Sequence, residues 1–75
     1  MREIELPSGK KAKIRQGKGK DLIKAQRAAK SPDEIGMALI AELTTIDDKP
    51  VMFEDLLEMD LADVLRLQQE VGGNL

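Results

Sequence analysis

A chain of 75 residues is long enough for one small domain and too short for two. It has no cysteine and no histidine, which excludes disulfides and thiolate metal sites and removes the commonest general base and zinc ligand. The net charge of −2 conceals an asymmetry: residues 1–30 carry ten Lys/Arg and three Asp/Glu, whereas residues 31–75 carry two Lys/Arg and eleven Asp/Glu. This split predicts either a basic surface for an anionic partner or two halves that attract each other in the fold.

Residues 2–15 alternate between apolar and polar side chains around a Pro-Ser-Gly turn, and this pattern predicts a β-hairpin. Both apolar sets share one face only if the loop has an odd number of residues. A five-residue loop pairs Glu5 with Lys13, whereas a three-residue loop pairs Glu5 with Lys11 and Glu3 with Lys13. Either register puts acids opposite bases on the outer face. Because a two-stranded hairpin is marginal alone, we expect helices to cover its apolar face.

Helical periodicity recurs through the rest of the chain. The predicted helices span about residues 21–30, 32–45, 53–57 (a short turn) and 61–71, with a polar loop at 47–50. Ser31 and Pro32 are typical of a helix start, and Asp60 with Asp63 matches a capping box before the last helix. The second helix is apolar on more than one side, which places it at the centre. The expected fold is α+β, an N-terminal β-hairpin packed on about three α-helices in a single small domain.

No sequence motif indicates catalysis or cofactor binding. The GKGK sequence at residues 17–20 lacks the spacing and the following Ser/Thr of a phosphate-binding loop, and it follows a hairpin rather than a buried strand. The acidic residues do not match the alternating ligand pattern of an EF-hand. Without His, Cys or Tyr the chain has few groups for acid–base or nucleophilic chemistry. We therefore expect a non-enzymatic protein with no cofactor and no metal.

An apolar surplus on the second helix and the short turn predicts a protein-binding face. The members of this face are Met37, Ile40, Met52, Phe53, Leu57 and Met59. Ordinary core filling is the alternative role for its methionines. The sequence therefore favours a protein that acts by binding another protein, and a generic protein-interaction module is the broadest form of that hypothesis.

A basic patch on the hairpin and the connector after it is suited to phosphate contacts. The members of this patch are Lys10, Lys11, Lys13, Arg15, Lys18 and Lys20. The single aromatic residue, Phe53, lies in the acidic half, so the patch offers no aromatic platform for stacking bases. A small nucleic-acid-binding regulator using this hairpin is thus the rival hypothesis, and the weaker one.

The chain has no feature of a membrane or exported protein. No apolar run approaches the roughly 20 residues of a membrane-spanning helix. The N-terminal residues lack the apolar core of a signal peptide. We expect a cytoplasmic protein without a membrane partner.

With these elements laid out, the chain resembles the small tail assembly chaperones of Mu-like phages and prophages. The motifs that carry the resemblance are I-x-L-P-S-G-K at residues 4–10, K-D-L-x-x-A-Q-R at 20–27, A-L-I-A-E-L-T at 38–44 and F-E-D-L-L-E-M-D-L-A-D-V-L-R-L-Q at 53–68. The last is the most distinctive, because a short helical turn leads through one apolar residue into Asp-Leu-x-Asp at the start of the final helix. No motif among them is catalytic.

The resemblance implies an assembly factor that acts in the bacterial host cell and is absent from the mature virion. Proteins of this kind keep the long helical tape measure protein soluble while tail tube subunits polymerise around it. The implied partners are therefore the tape measure protein and the tail tube protein, with self-association as a further expectation. The apolar face defined above is the surface expected to receive the tape measure protein.

Overall fold

The computed structural model describes residues 2–72, in which a four-stranded antiparallel sheet lies against four helices. The strands are β1 (Arg2–Glu5), β2 (Lys11–Ile14), β3 (Thr44–Ile46) and β4 (Lys49–Pro50), arranged in the sheet in chain order. The helices are α1 (Gly19–Ala28), α2 (Ile35–Leu43), α3 (Phe53–Glu58) and α4 (Leu61–Gly72), with a 3₁₀ turn at Pro32–Glu34 leading into α2. The predicted α+β class with an N-terminal hairpin is confirmed.

The β1–β2 hairpin adopts the register of the three-residue loop. The partners across it are Arg2 and Ile14, Glu3 and Lys13, Ile4 and Ala12, and Glu5 and Lys11. The Gly9 N–H donates to the Leu6 carbonyl at 2.8 Å, and Gly9 has a φ of 95°, a conformation that disfavours residues with a side chain. A turn that ends in glycine therefore selects between the two registers that hydrophobic alternation leaves open.

The end of the second helix was predicted wrongly. α2 stops at Leu43, and the expected helical and loop residues that follow form the β3–β4 hairpin, which joins the sheet beside β2. Its two-residue turn is Asp47-Asp48, with φ values of 51° and 67°, the geometry of a type I′ turn. Asn-Gly or Asp-Gly is the usual sequence for this turn, so two aspartates in succession do not predict it.

The Asp47-Asp48 turn is held in place by the neighbouring strand. Asp47 donates its N–H to the Lys11 carbonyl at 2.8 Å and accepts the Lys11 N–H on Oδ1 at 3.2 Å. Asp48 accepts a bond from the Lys13 ammonium at 2.7 Å. These contacts offset the cost of two residues with positive φ, which amounts to about 1 kcal/mol or more for each.

The core lies between one face of the sheet and the helices. Ile4, Ala12 and Ile46 form a row across β1, β2 and β3, and Ala12 is fully buried. α2 crosses the centre as predicted and buries Ala38, Leu39, Ile40 and Leu43. The other members of the core cluster are Leu6, Ile14, Ala25, Val51, Leu56, Leu67 and Val71.

The helix starts use different polar contacts from those predicted. The Asp63 carboxylate accepts the Ser8 N–H at 3.0 Å and the Ser8 Oγ–H at 2.6 Å, so it anchors the hairpin turn to the start of α4. α1 begins at Gly19 rather than near residue 21, because the Asp21 carboxylate accepts the Lys18 N–H at 2.9 Å.

We expect Ser8→Ala to lower the free energy of unfolding by about 1–2 kcal/mol, because it removes a hydrogen bond to a buried carboxylate. Ser31→Ala is the matched control, since the Ser31 side chain makes no capping hydrogen bond, and it should change stability by less than about 0.5 kcal/mol. Urea unfolding followed by circular dichroism measures both. Equal stability of the two variants would show that the contact between Ser8 and Asp63 contributes nothing to the fold.

Candidate functional site

An apolar groove of about 540 Å³ lies between the end of α1, one side of α2 and the segment that runs from β4 into α3. We call it the α2–α3 groove. Its lining residues are Ala28, Lys30, Glu34, Ala38, Ala41, Glu42, Pro50, Val51, Met52, Phe53, Glu54 and Leu57. Three of the six residues predicted for the protein-binding face are among them: Met52, Phe53 and Leu57.

The other three predicted residues lie elsewhere. Ile40 is only 1% exposed and belongs to the core, so its side chain is not available at the surface of this conformation. Met37 and Met59 are half-buried and pack against the core cluster, outside the lining of the groove. The apolar surplus of α2 thus serves mainly to fill the centre of a domain whose core is small.

The start of α3 is anchored so that the Met52 and Leu57 side chains face outward. Val51 and Leu56 are buried, which pins the chain on both sides of the helix start. The Met52 N–H donates to the Asp55 carboxylate at 3.0 Å, a contact that fixes the first turn of α3. Met52 and Leu57 are each 60% exposed as a result. Such exposure of large apolar side chains beside a groove is typical of a binding surface.

Sequence reasoning missed the small residues that give the groove its depth. Ala28 at the end of α1 and Ala38 and Ala41 on α2 line it without filling it. The angle at which α1 crosses α2 cannot be read from composition. The space therefore appears only once the two helices are placed.

α4 carries a second exposed apolar feature. Leu61 and Leu65 are 72% and 53% exposed, and their spacing of four residues puts them on one face of the helix. The opposite face buries Val64, Leu67 and Val71. These two leucines lie outside the α2–α3 groove, so they provide a comparison surface for it.

A larger groove of about 670 Å³ opens at the other end of α1, beside the residue 15–18 connector. We call it the connector groove. Apolar side chains including Leu22, Leu39 and Leu43 line it, and Arg2 and Lys18 add positive charge. Arg2 makes a salt bridge to Glu70 and also donates to the Glu70 backbone carbonyl at 2.9 Å.

Arg15 and Asp21 form a two-pronged ion pair between the connector and α1. Arg15 nitrogens lie 2.9 and 2.7 Å from the two Asp21 oxygens, and Asp21 is buried. The Arg15 hydrogen bonds and, after them, the Lys18 N–H hold the pKa of the Asp21 carboxyl well below its usual range. The hydrogen bond to Asp21 in turn raises the pKa of the Arg15 guanidinium. Glu42 extends the cluster at 3.7 Å from both Arg15 and Lys24.

The predicted basic patch is partly neutralised within the fold. Lys13 pairs with Asp48, whose hydrogen bond raises the pKa of the lysine, and Arg15 pairs with Asp21. The remaining four members have exposed side chains and no ion pair within residues 2–72. These four are Lys10, Lys11, Lys18 and Lys20. Attraction between the basic and acidic halves, expected from the charge asymmetry, accounts for the pairing of Lys13 with Asp48 and for the longer contact of Arg15 with Glu42. The Arg15–Asp21 pair lies within the basic half.

Residues 2–72 hold neither a metal-binding cluster nor a membrane-spanning helix. They contain no group of three or more His, Cys, Asp or Glu side chains placed to hold a metal ion. Over the same residues no helix is both long enough and apolar enough to cross a membrane. The α2–α3 groove itself offers apolar contact flanked by a few charges.

The ion pair of Asp21 predicts a specific dependence of stability on pH. Because the folded state lowers the pKa of Asp21, the stabilisation is present above the unfolded pKa of about 3.9 and is lost as pH falls through the lower folded value. Asp21→Asn should therefore be less stable than the unchanged protein at pH 7, and the difference should shrink below about pH 4. Thermal unfolding of both proteins across this range tests it. A difference that stays constant down to strongly acidic pH would contradict the assignment.

A scan against protein-family models matches residues 11–75 to the family described as phage tail assembly chaperone proteins, E, or 41 or 14. Comparisons with curated proteins and with solved structures give no significant match. The matched stretch begins at β2 and includes α1, α2, α3 and α4, so it contains almost all residues of the two grooves. β1 and the first turn lie before it. The chain belongs to the family of phage tail assembly chaperones.

Proposed function

We propose that this chaperone binds an amphipathic helical segment of the tape measure protein in the α2–α3 groove. It keeps that segment soluble in the host cell until tail tube subunits enclose it, and it does not remain in the finished particle. Family membership supports a role in tail assembly, and the exposed apolar lining of the groove supports the choice of site. The observation that carries the proposal is the 60% exposure of both Met52 and Leu57 at the groove.

The groove has the form used for helix-in-groove recognition. A guest helix presents apolar residues along one face at spacings of three and four, and a groove between packed elements receives them. Phe53 is half-buried and supplies a rigid aromatic wall, whereas Met52 and Leu57 supply side chains that a guest would cover. Covering the exposed part of each would contribute about 1–2 kcal/mol.

A contact of this size suits transient capture. A few partly exposed apolar side chains give modest affinity once the cost of association is subtracted. Met52 also adapts its shape more readily than a branched residue, which favours recognition of several guest segments along a long partner. Modest affinity and adaptable packing allow the guest to be released when the tail tube closes around it.

The rival hypothesis of a nucleic-acid-binding regulator has less support. Lys13 and Arg15 are already paired with Asp48 and Asp21, which lowers the charge available for phosphate contacts. The one aromatic side chain, Phe53, lines the α2–α3 groove, away from the basic residues. No observation on the basic hairpin favours a specific nucleic-acid complex.

We expect Leu57→Asp to weaken binding of tape measure helical peptides by roughly tenfold or more, because a charge would enter the apolar groove. Leu65→Asp is the matched control: Leu65 is similarly exposed, on α4, and lies outside the groove. Fluorescence anisotropy with labelled peptides that tile the tape measure protein gives the affinities.

The stability of both variants is measured in parallel by circular dichroism, and both should fold, since each replaces an exposed side chain. Retention of full affinity by Leu57→Asp would contradict the groove as the binding site. Loss of affinity in the Leu65→Asp control alone would move the site to α4.

A further inference from the structure

The α2–α3 groove lies in the acidic part of the chain. Residues 31–60 contain nine Asp/Glu and a single Lys. This stretch supplies most of the residues that line the groove. Three glutamates and one lysine are the charged members of that lining: Glu34, Glu42, Glu54 and Lys30. The apolar surface that we assign to the guest is thus bordered by a net negative charge.

The three glutamates differ in whether their carboxylates are paired with cations of the protein. Glu54 is exposed, and the described residues hold no ion-pair partner for it. Glu34 accepts the Lys30 backbone N–H at 2.9 Å, a bond that leaves its charge in place. Glu42 lies 3.7 Å from both Arg15 and Lys24, so its charge is already shared. Glu54 and Glu34 therefore dominate the charge that a guest would meet.

From this arrangement we propose that the groove selects basic amphipathic helices. The guest places its apolar face against Met52, Phe53 and Leu57 and its flanking Lys or Arg residues against Glu54 and Glu34. This inference rests on the proposed function, since it names the class of segment that the same groove accepts. The occupant is identified by charge complementarity with the border of the groove.

Two consequences of electrostatics support the selection. A negative border attracts a basic helix before contact and raises its association rate, while it repels an acidic one. The border also discriminates against a second copy of this chain, whose exposed Leu61 and Leu65 follow the carboxylates Glu58 and Asp60. Repulsion between like charges would keep these leucines out of the groove and leave it open for the guest.

The experiment uses the full chain and two labelled helical peptides of our own design. Both peptides carry the same leucine and alanine face, and they differ only in four flanking residues, which are Lys in one and Glu in the other. We expect the Lys-flanked peptide to bind roughly tenfold more tightly at about 20 mM salt. At about 300 mM salt the two affinities should approach each other, because exposed charges are screened.

Variants locate the effect at the groove. Glu54→Lys should lower the affinity for the Lys-flanked peptide by roughly three- to fivefold and raise the affinity for the Glu-flanked peptide. Glu5→Lys is the matched control, an exposed acid on β1 that does not line the groove, and it should leave the ratio of the two affinities nearly unchanged. The change with salt in the ratio of the two peptide affinities of the unchanged protein is a second test of charge selection, and it needs no substitution.

The outcomes separate the two proposals. Equal, salt-independent binding of both peptides, abolished by Leu57→Asp, would overturn charge selection and keep the groove as the guest site. Tighter binding of the Glu-flanked peptide would also overturn charge selection. Binding of neither peptide, or binding that Leu57→Asp leaves intact, would contradict the groove itself and the inference with it.

Discussion

The direct junction between α2 and β3 is the constraint on which the rest of the fold depends. α2 ends at Leu43 and β3 begins at Thr44, with no loop residue between them. The Arg15 N–H donates to the Leu43 carbonyl at 3.0 Å, so the end of the helix is tied to the chain that leaves β2. Because the sheet register positions β3, it also positions the axis of α2, and every other helix has to pack around that axis.

Close packing at this junction restricts the connector between β2 and α1. A Cβ at Gly17 would lie 3.2 Å from a Leu43 methyl carbon, which is tighter than ordinary contact. The connector then delivers Asp21 to Arg15, and their ion pair sets where α1 begins to lie across α2. The two grooves at the ends of α1 follow from this placement, since Leu22 lines one and Ala28 lines the other.

The parts of this architecture that sequence could predict are those governed by local periodicity. Alternation in residues 2–15 gave the hairpin, and the apolar residues of α2 gave a central helix. Met52 and Leu57 were predicted as members of the binding face from the apolar surplus of the short turn, and both are exposed. The predictions that failed depend on contacts between distant segments. Ile46 continues the helical apolar spacing of Leu39 and Leu43, and only pairing with β2 makes it a strand residue.

Ile40 and Asp63 show the same limit at the level of single side chains. The pattern of α2 reveals an excess of apolar residues without saying which of them meet the sheet, and Ile40 proves to be buried. Asp63 has the spacing of a capping residue. The hairpin turn, however, brings the Ser8 hydroxyl within 2.6 Å of the Asp63 carboxylate, which accepts a hydrogen bond from it. Half of the predicted binding face therefore lines the groove, and the groove's shape comes from small residues that carry no signal of their own.

The small number of buried side chains on α1 has a consequence for hydrogen exchange along the chain. Within α1 only Asp21 and Ala25 are buried, whereas α2 beneath it buries four apolar side chains. We expect such an element to open at lower free energy than α2, so its amide hydrogens should exchange with solvent before those of α2.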